Sequence, residues 1–346
     1  MGGGTPSSSN ESFWQGTIPW VSSSDIVEND IKNISISRYI TEEAVAHSAT
    51  KLCPAPSILI VSRVGVGKIA LSKEAICTSQ DFCNLVNIKV DPIFLTYCLS
   101  QIMKRKSMEV QGTSIKGITI SEIQKISINI PSLQEQKKIG KILSLLDERI
   151  ATQNKIIEDL KKLKSAISHI LFSSKCAIHL SDIANVVMGQ SPSSNAYNDQ
   201  GIGMPLVQGN LDISNGKTTP RLYTADFNQT AEEGNIILTV RAPVGEVAKA
   251  TKKVCLGRGV CAIIPHEENM SDFIYQYFTF YKFMWRKYEQ GSTFTSINGS
   301  DVRNIPCPKV RNVSILTLLD RKINIEERVI KLYQSQKQYM LCQMFI

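Results

Sequence analysis

The 346 residues hold no apolar run approaching 18 residues, so no stretch reads as a membrane-crossing helix. The opening "MGGGTPSSSNESFW" has neither a basic start nor an apolar core and does not read as a signal peptide. Histidine is scarce. His47, His169, His179 and His266 are scattered, so spacing offers no histidine-based triad or metal cluster. No G-x-G-x-x-G follows any strand. "GVGK" (65–68) is not a phosphate loop, because Ser62 replaces the first required glycine and Ile69 follows the lysine. "DPIF" (91–94) lacks the second proline of an amino-group methyl-transfer signature. It reads instead as a helix start, with Asp91 as N-cap and Pro92 at the first position. Nine cysteines, an odd number, suit a reducing cytoplasm better than a disulfide framework. The six-residue spacing of Cys77/Cys83 and Cys255/Cys261 puts each pair on one strand face. That is wider than structural zinc prefers, so they read as small buried apolar side chains. No catalytic constellation emerges.

What is present is a repeat. "IVSRVGVGKIA" (60–70) matches "LTVRAPVGEVA" (238–248) at an offset of 178, which aligns Arg63 with Arg241 and Cys83 with Cys261. "GTPSSS" (4–9) resembles "QSPSSN" (190–195) at an offset of 186, and "QGTSI" (111–115) resembles "QGSTF" (290–294). "ILSLLDERI" (142–150) returns as "ILTLLDRKI" (315–323), and Phe172 and Phe345 share that offset of 173. Lys68 falls on Glu246, which again argues for a turn rather than a phosphate site. Short alternating runs such as "SILIVSRV" and "NIILTVRA", bounded by Gly and Pro, predict strands.

Each repeat ends in a helix. Ser132 and Glu135 form a capping box after Pro131. From there Ile139, Leu143, Leu146, Ile150, Gln153, Ile157, Leu160, Lys164, Ile167 and Leu171 step by four and three, as a heptad seam does. The copy places Leu316, Leu319, Ile323, Glu326, Ile330, Tyr333, Lys337, Met340 and Met344 likewise. An antiparallel pairing would bring Lys164 toward Glu326 and Lys337 toward Gln153. The matched helix would be about 46 Å long at about 1.5 Å per residue, somewhat more than one DNA turn of about 34 Å. The expected fold is α+β: two strand-rich mixed domains in pseudo-twofold tandem, 1–131 and 173–311. Two long helices, 132–172 and 312–346, separate them and pair as an antiparallel coiled coil.

The formal charge is +8, of which the two helical segments carry +5 (13 Lys/Arg against 8 Asp/Glu). Bulk charge therefore does not itself establish nucleic-acid binding, and a solvated surface accounts for it equally well. Two repeated features suit DNA. Basic helix ends hold Lys104, Arg105 and Lys106, and Arg286 and Lys287, where cations also simply suit a helix C-terminus. Polar loops hold Thr5, Ser7, Thr113 and Lys116, and Ser191, Ser193, Ser292 and Thr293, which equally read as plain turns. Arg63 and Arg241 at strand ends are further candidates, for guanine or for a structural ion pair.

"IPSLQEQKKIGKILSLLDERIATQNKIIEDLKKLKSAISHILF" resembles the helical region of type I restriction-modification specificity subunits: Pro, Glu135-Gln136, a central Leu146-Asp147 and a Lys-rich helix. The "G-x-[TS]-P-S" and "QG[TS]" loops resemble the target recognition domains of that family. The resemblance implies a non-catalytic subunit whose two domains each read half of an interrupted double-stranded DNA target, with the helices setting the gap. It implies two methyltransferase subunits supplying S-adenosylmethionine, motor-nuclease subunits, and no membrane. Asp147 and Asp320 lie just off the heptad seam, a position open to a docking or helix-stabilising role. The second repeat opens with "CAIHLSDIANVVM", where the first has only Met1–Gly3. A truncated or rearranged inactive variant, or a coiled-coil adaptor without DNA binding, is the alternative.

Overall fold

The alternating runs become central strands with both faces buried. A computed structural model describes the chain except residues 111–116, 174–176, 288–295, 311 and 346 and the side chains of 109, 110, 194, 283 and 286. The first part of the chain forms β1 (Ile18–Val21), β2 (Arg38–Ile40), α1 (Glu42–Ala46), β3 (Leu52–Cys53), β4 (Ser57–Val61), β5 (Ile69–Ser72), β6 (Ile76–Thr78), β7 (Phe82–Leu85), α2 (Pro92–Val110) and α3 (Ile120–Gln124). The long α4 (Leu133–Phe172) follows. Then come β8 (Ala177–His179), β9 (Ala184–Met188), β10 (Tyr197–Asn198), β11 (Met204–Val207), β12 (Ile213–Ser214), β13 (Lys217–Thr218), β14 (Leu222–Thr224) and β15 (Thr230–Ala231). The chain ends with β16 (Ile236–Thr239), β17 (Val247–Lys249), β18 (Val254–Leu256), β19 (Val260–Pro265), α5 (Ser271–Tyr281), α6 (Gly299–Arg303), β20 (Pro306–Pro308) and the long α7 (Ser314–Met344).

Two compact units result, Met1–Asn154 with Arg328–Ile346, and Lys155–Glu327, so each unit takes part of both long helices. The first holds sheets ordered β2-β1-β6-β3 and β5-β4-β7. The second holds β10-β14-β11-β18-β15, β12-β13-β17-β16-β19-β9 and the pair β20-β8. Register repeats too. Trp20 lies opposite Cys77 in the parallel pair β1–β6, as Leu206 lies opposite Cys255 in β11–β18. On β4, Ile58 and Ile60 face a core that includes α2 residues Phe94 and Tyr97, while Leu59 and Val61 face the core between the sheets. β16 does the same with Ile236 and Leu238 against Ile237. Period-two side chains on a strand covered on both faces explain the nearly continuous apolar run.

The cysteine pairs do not share strands. Cys77 is on β6 and Cys83 on β7, in different sheets, because the chain turns between them; Cys255 and Cys261 divide likewise between β18 and β19. All four are buried, and burial pushes the Cys77 and Cys261 thiols up to about 12.

The helix starts follow their caps. Asp91 Oδ1 accepts from the Phe94 amide at 2.9 Å and opens α2. Ser132 and Glu135 exchange side-chain and backbone bonds at 3.0 and 3.3 Å and open α4. Gln136, next in sequence and buried, ties the two starts together: its Oε1 accepts from the Asp91 amide at 2.9 Å. Gly140 lets the helices approach, since a Cβ there would stand 3.2 Å from Ile93 Cγ2.

The heptad residues face inward. Leu143, Leu146, Ile157, Leu316, Ile323 and Ile330 are buried, and Ile150, Leu160, Lys164, Leu319, Tyr333 and Lys337 are half-buried, while Leu145, Leu163, Leu318 and Leu332 between them are exposed. Within the first unit Asp147 meets Lys337, and Arg149 donates to the Tyr333 hydroxyl at 3.3 Å. Within the second, Lys161 meets Glu327 at 2.7 Å and Lys164 meets Asp320 at 2.5 Å. Ascending one helix descends the other, so in each unit the segments run antiparallel. Lys164 and Lys337 find aspartates across the seam. Asp147 and Asp320, each just past a seam leucine, reach them, while Glu326 binds Lys322 one turn earlier on its own helix.

Each aspartate is a three-way node. The Tyr97 hydroxyl on α2 donates to Asp147 at 2.5 Å, and Gln276 on α5 donates to Asp320 at 2.6 Å. Burial, with the neighbouring Asp147 carboxylate, pushes the Tyr97 phenol well above its ordinary range, so it remains a donor. The repeated phenylalanines close the cores. Phe172 packs against Phe273, Tyr277 and Phe280 of the second unit, and Phe345 against Phe94 of the first.

Candidate nucleic-acid interface

In the first unit three segments meet at a polar corner beyond β4. The Ser62 amide and hydroxyl donate to the Asp81 carbonyl at 2.8 and 3.0 Å. The Ile118 amide donates to the Ser62 carbonyl at 2.8 Å, which brings the end of the "QGTSIKG" stretch against Arg63. Beside Asp81, Gln80 accepts from the Thr5 hydroxyl at 2.5 Å. The rest of "GTPSSS" is pinned by indoles: Trp20 donates to the Gly4 carbonyl at 3.0 Å and Trp14 to the Ser7 carbonyl at 3.1 Å. Thr5, Ser7 and Arg63 are exposed.

The second unit rebuilds this corner. Arg241 forms a bridge with Ser296, and the Ile297 amide donates to the Val240 carbonyl at 3.0 Å. The Val240 amide donates to the Gly259 carbonyl at 2.9 Å. The Ser191 hydroxyl accepts from Arg258 Nε at 3.1 Å. The exposed Ser193 donates its amide to Asp226 at 3.3 Å, and Arg241 is exposed. Arg258 stands where the first unit has Gln80, at the repeat offset of 178. Neither residue was singled out from the sequence. The offset of 178 aligns the two, but only the fold brings each beside its loop. Donor-rich exposed side chains around an exposed guanidinium, held by backbone bonds, can meet phosphates or base edges.

The profile of the type I restriction modification DNA specificity domain matches residues 1–162 and again 177–332. The chain belongs to this family. A protein named as the MjaX specificity subunit of a type I restriction enzyme, from Methanocaldococcus jannaschii, is 31% identical over 245 residues, 64% of this chain and 58% of the relative. The EcoR124I/EcoR124II specificity subunit of Escherichia coli is 35% identical over 171 residues, 46% of this chain and 41% of the relative. The matched stretch is thus under two-thirds of either relative's length. The crystal structure of the type I restriction-modification S subunit from M. genitalium superposes with a TM-score of 0.62 at 19% identity, covering 100% of this chain and 93% of that one. The HsdS subunit from Thermoanaerobacter tengcongensis superposes at 0.51 and 21%, covering 95% and 90%. At that identity the likeness is one of fold.

The basic helix ends of the two specificity domains differ from expectation. Arg105 donates to the Phe345 carbonyl at 3.1 Å, so its cation serves the C-terminal end of α7. Lys104 and Lys106 are half-buried, and Lys104 lines a cleft of about 1000 Å³ with Lys68, Lys331, Lys337, Tyr97 and Asp147. In the second domain α5 stops at Tyr281 and a 3-10 turn, Lys282–Lys287, follows, so Arg286 and Lys287 are not on its α-helical end. Lys287 is exposed. Thr113, Lys116, Ser292 and Thr293, and the side chain of Arg286, lie outside the described residues. Among the described residues no group of acidic, histidine and cysteine side chains has metal-holding geometry, and no helix is long and apolar enough to cross a membrane.

Proposed function

We propose that the chain is the DNA-reading specificity subunit of a type I restriction-modification complex. Each domain reads one half of a bipartite double-stranded target, and α4 and α7 set the gap between the halves. The subunit recognises and does not catalyse. Two methyltransferase subunits bring S-adenosylmethionine and methylate adenine, and motor-nuclease subunits cleave. The observation that supports this most is the coincidence of two family matches with two copies of one polar corner, each presenting an exposed arginine beside a pinned serine loop.

Co-expression with a methyltransferase subunit in a methylation-free host, followed by single-molecule mapping of modified adenines, tests it. The expected result is a two-part motif with a fixed unspecified gap. No modification by a well-expressed complex would favour an inactive variant or an adaptor. Replacing Arg63 or Arg241 by alanine is expected to relax one half of the motif while leaving the other, at a cost of about 1–3 kcal/mol in binding if the arginine reads a base.

A further inference from the structure

The polar corner of the second domain carries a large apolar side chain that the first lacks. Asp226 accepts from the Ser193 amide, so the segment after β14 runs beside the serine loop. The buried Thr224 hydroxyl donates to the Asp226 carbonyl at 2.7 Å and accepts from the Asp226 amide at 3.2 Å. Farther along, the Gln229 carbonyl accepts from the Leu256 amide at 2.9 Å, which extends the antiparallel pairing of β15 with β18 by one residue. Phe227 therefore stands on a short segment anchored on both sides. It lies two residues before Gln229, and Arg258 lies two residues after Leu256, so both emerge from the same end of that strand pair. Arg258 in turn holds Ser191.

The first domain has the same frame with a different occupant. Leu52 lies opposite Cys77 as Thr230 lies opposite Cys255, at the repeat offset of 178. That offset puts Ala49 where the second domain has Phe227. The Thr50 hydroxyl donates to the Gly4 carbonyl and holds Ala49 beside its own serine loop. Both positions are exposed, one with a methyl group and one with a phenyl ring. Among the described side chains Phe227 is the one exposed phenylalanine or tryptophan; the others are buried or half-buried. At 46% exposure, more than half of it rests on the domain. A wedge that parts stacked base pairs must stand clear of the protein. A ring held by its flank offers van der Waals contact instead. The apolar group that a base pair presents in the major groove is the 5-methyl of thymine.

We propose that Phe227 reads a thymine 5-methyl group in the half of the target that the second domain meets. The inference rests on the DNA-reading function and adds an apolar contact to it. The shorter Ala49 gives the first domain no equivalent ring.

The test uses the complex with a methyltransferase subunit and duplexes carrying its mapped motif. Each thymine, on either strand, is replaced in turn by deoxyuridine, which keeps the hydrogen-bonding edge and lacks only the methyl. Binding is expected to weaken about fourfold at one thymine, the worth of one buried methyl. Phe227→Ala, which copies the first domain, is expected to bind the thymine and deoxyuridine duplexes equally at that position. Phe227→Leu, which keeps an apolar contact, is expected to keep the preference. Deoxyuridine tolerated at every position, every preference surviving Phe227→Ala, or an equal loss on both duplexes (the mark of a wedge) would overturn the proposal. A complex with no motif at all overturns it together with DNA reading. A motif read without the preference overturns this inference alone.

Discussion

The turn after β4 and the turn after β16 share a positive-φ glycine and carry opposite charge. Gly67 and Gly245 both sit at positive φ, +101° and +90°, a conformation that side chains resist. The next residue is Lys68 in one domain and Glu246 in the other. Glu246 pairs with Lys282 at 2.5 Å, whereas Lys68 donates to the Ser23 carbonyl at 3.2 Å and lines a cleft with Lys104. Backbone geometry demands the glycine. Nothing in the turn demands a sign of charge. By contrast the Asp–Lys pairs recur half-buried and the closing phenylalanines recur buried, where a change would leave an unpaired group or a void. The comparison separates what holds a domain together from what a domain is free to vary.

Removing a closing ring should show the largest effect. Phe172→Ala is expected to destabilise the second domain by about 3–5 kcal/mol. Phe345→Ala should cost the first domain less, because Phe345 meets one aromatic ring where Phe172 meets three. Urea unfolding, followed by exchange of each domain's amides, ranks the two. Equal losses would show that the rings do not decide the difference.

The nodes come next. Asp147→Ala strands Lys337 and the Tyr97 hydroxyl, in a pair only 18% and 13% exposed, and should cost about 2–4 kcal/mol. Asp320→Ala should cost less, since that pair is 30% and 18% exposed. Adding Lys337→Ala to Asp147→Ala should recover part of the loss in a double-mutant cycle. Full additivity would break the node reading.

The smallest effect belongs to the turns. Glu246→Lys copies the first domain's charge and removes a pair that is 34% and 48% exposed. A shift of about 0.5 kcal/mol or less is expected in the urea midpoint. A loss above about 2 kcal/mol would place that pair among the structural contacts rather than the variable ones.

Much of this was legible in residue order. The caps at Asp91 and Ser132, the alternation of β4 and β16, and the heptad positions all came from local periodicity, and the structure places them as spacing implies. Gln136 was visible as part of a motif, but its bond to the Asp91 amide was not, because the partners are 45 positions apart. That Asp320 and Asp147 reach Lys164 and Lys337 was not legible for a related reason. Heptad spacing shows which residues face the neighbouring helix, not how far one helix slides along the other. At the polar corners the loops and arginines were found, whereas Gln80 and Arg258 were not, since each is defined by what folds beside it.

The sequence by itself determined the repeat, the element types, the inward face of each long helix and the family. The element types and inward faces rest on spacings of two, three and four residues that covalent order imposes on strands and helices, the repeat on matched phrases at fixed offsets, and the family on a resemblance of motifs. Only the tertiary structure decided which helix end closes which core. Phe345 returns to the first domain beside Phe94, and Phe172 enters the second beside Phe273. Apolar burial has no direction and no address in the chain, so a phenylalanine ending a helix announces that it will be covered, but not by what.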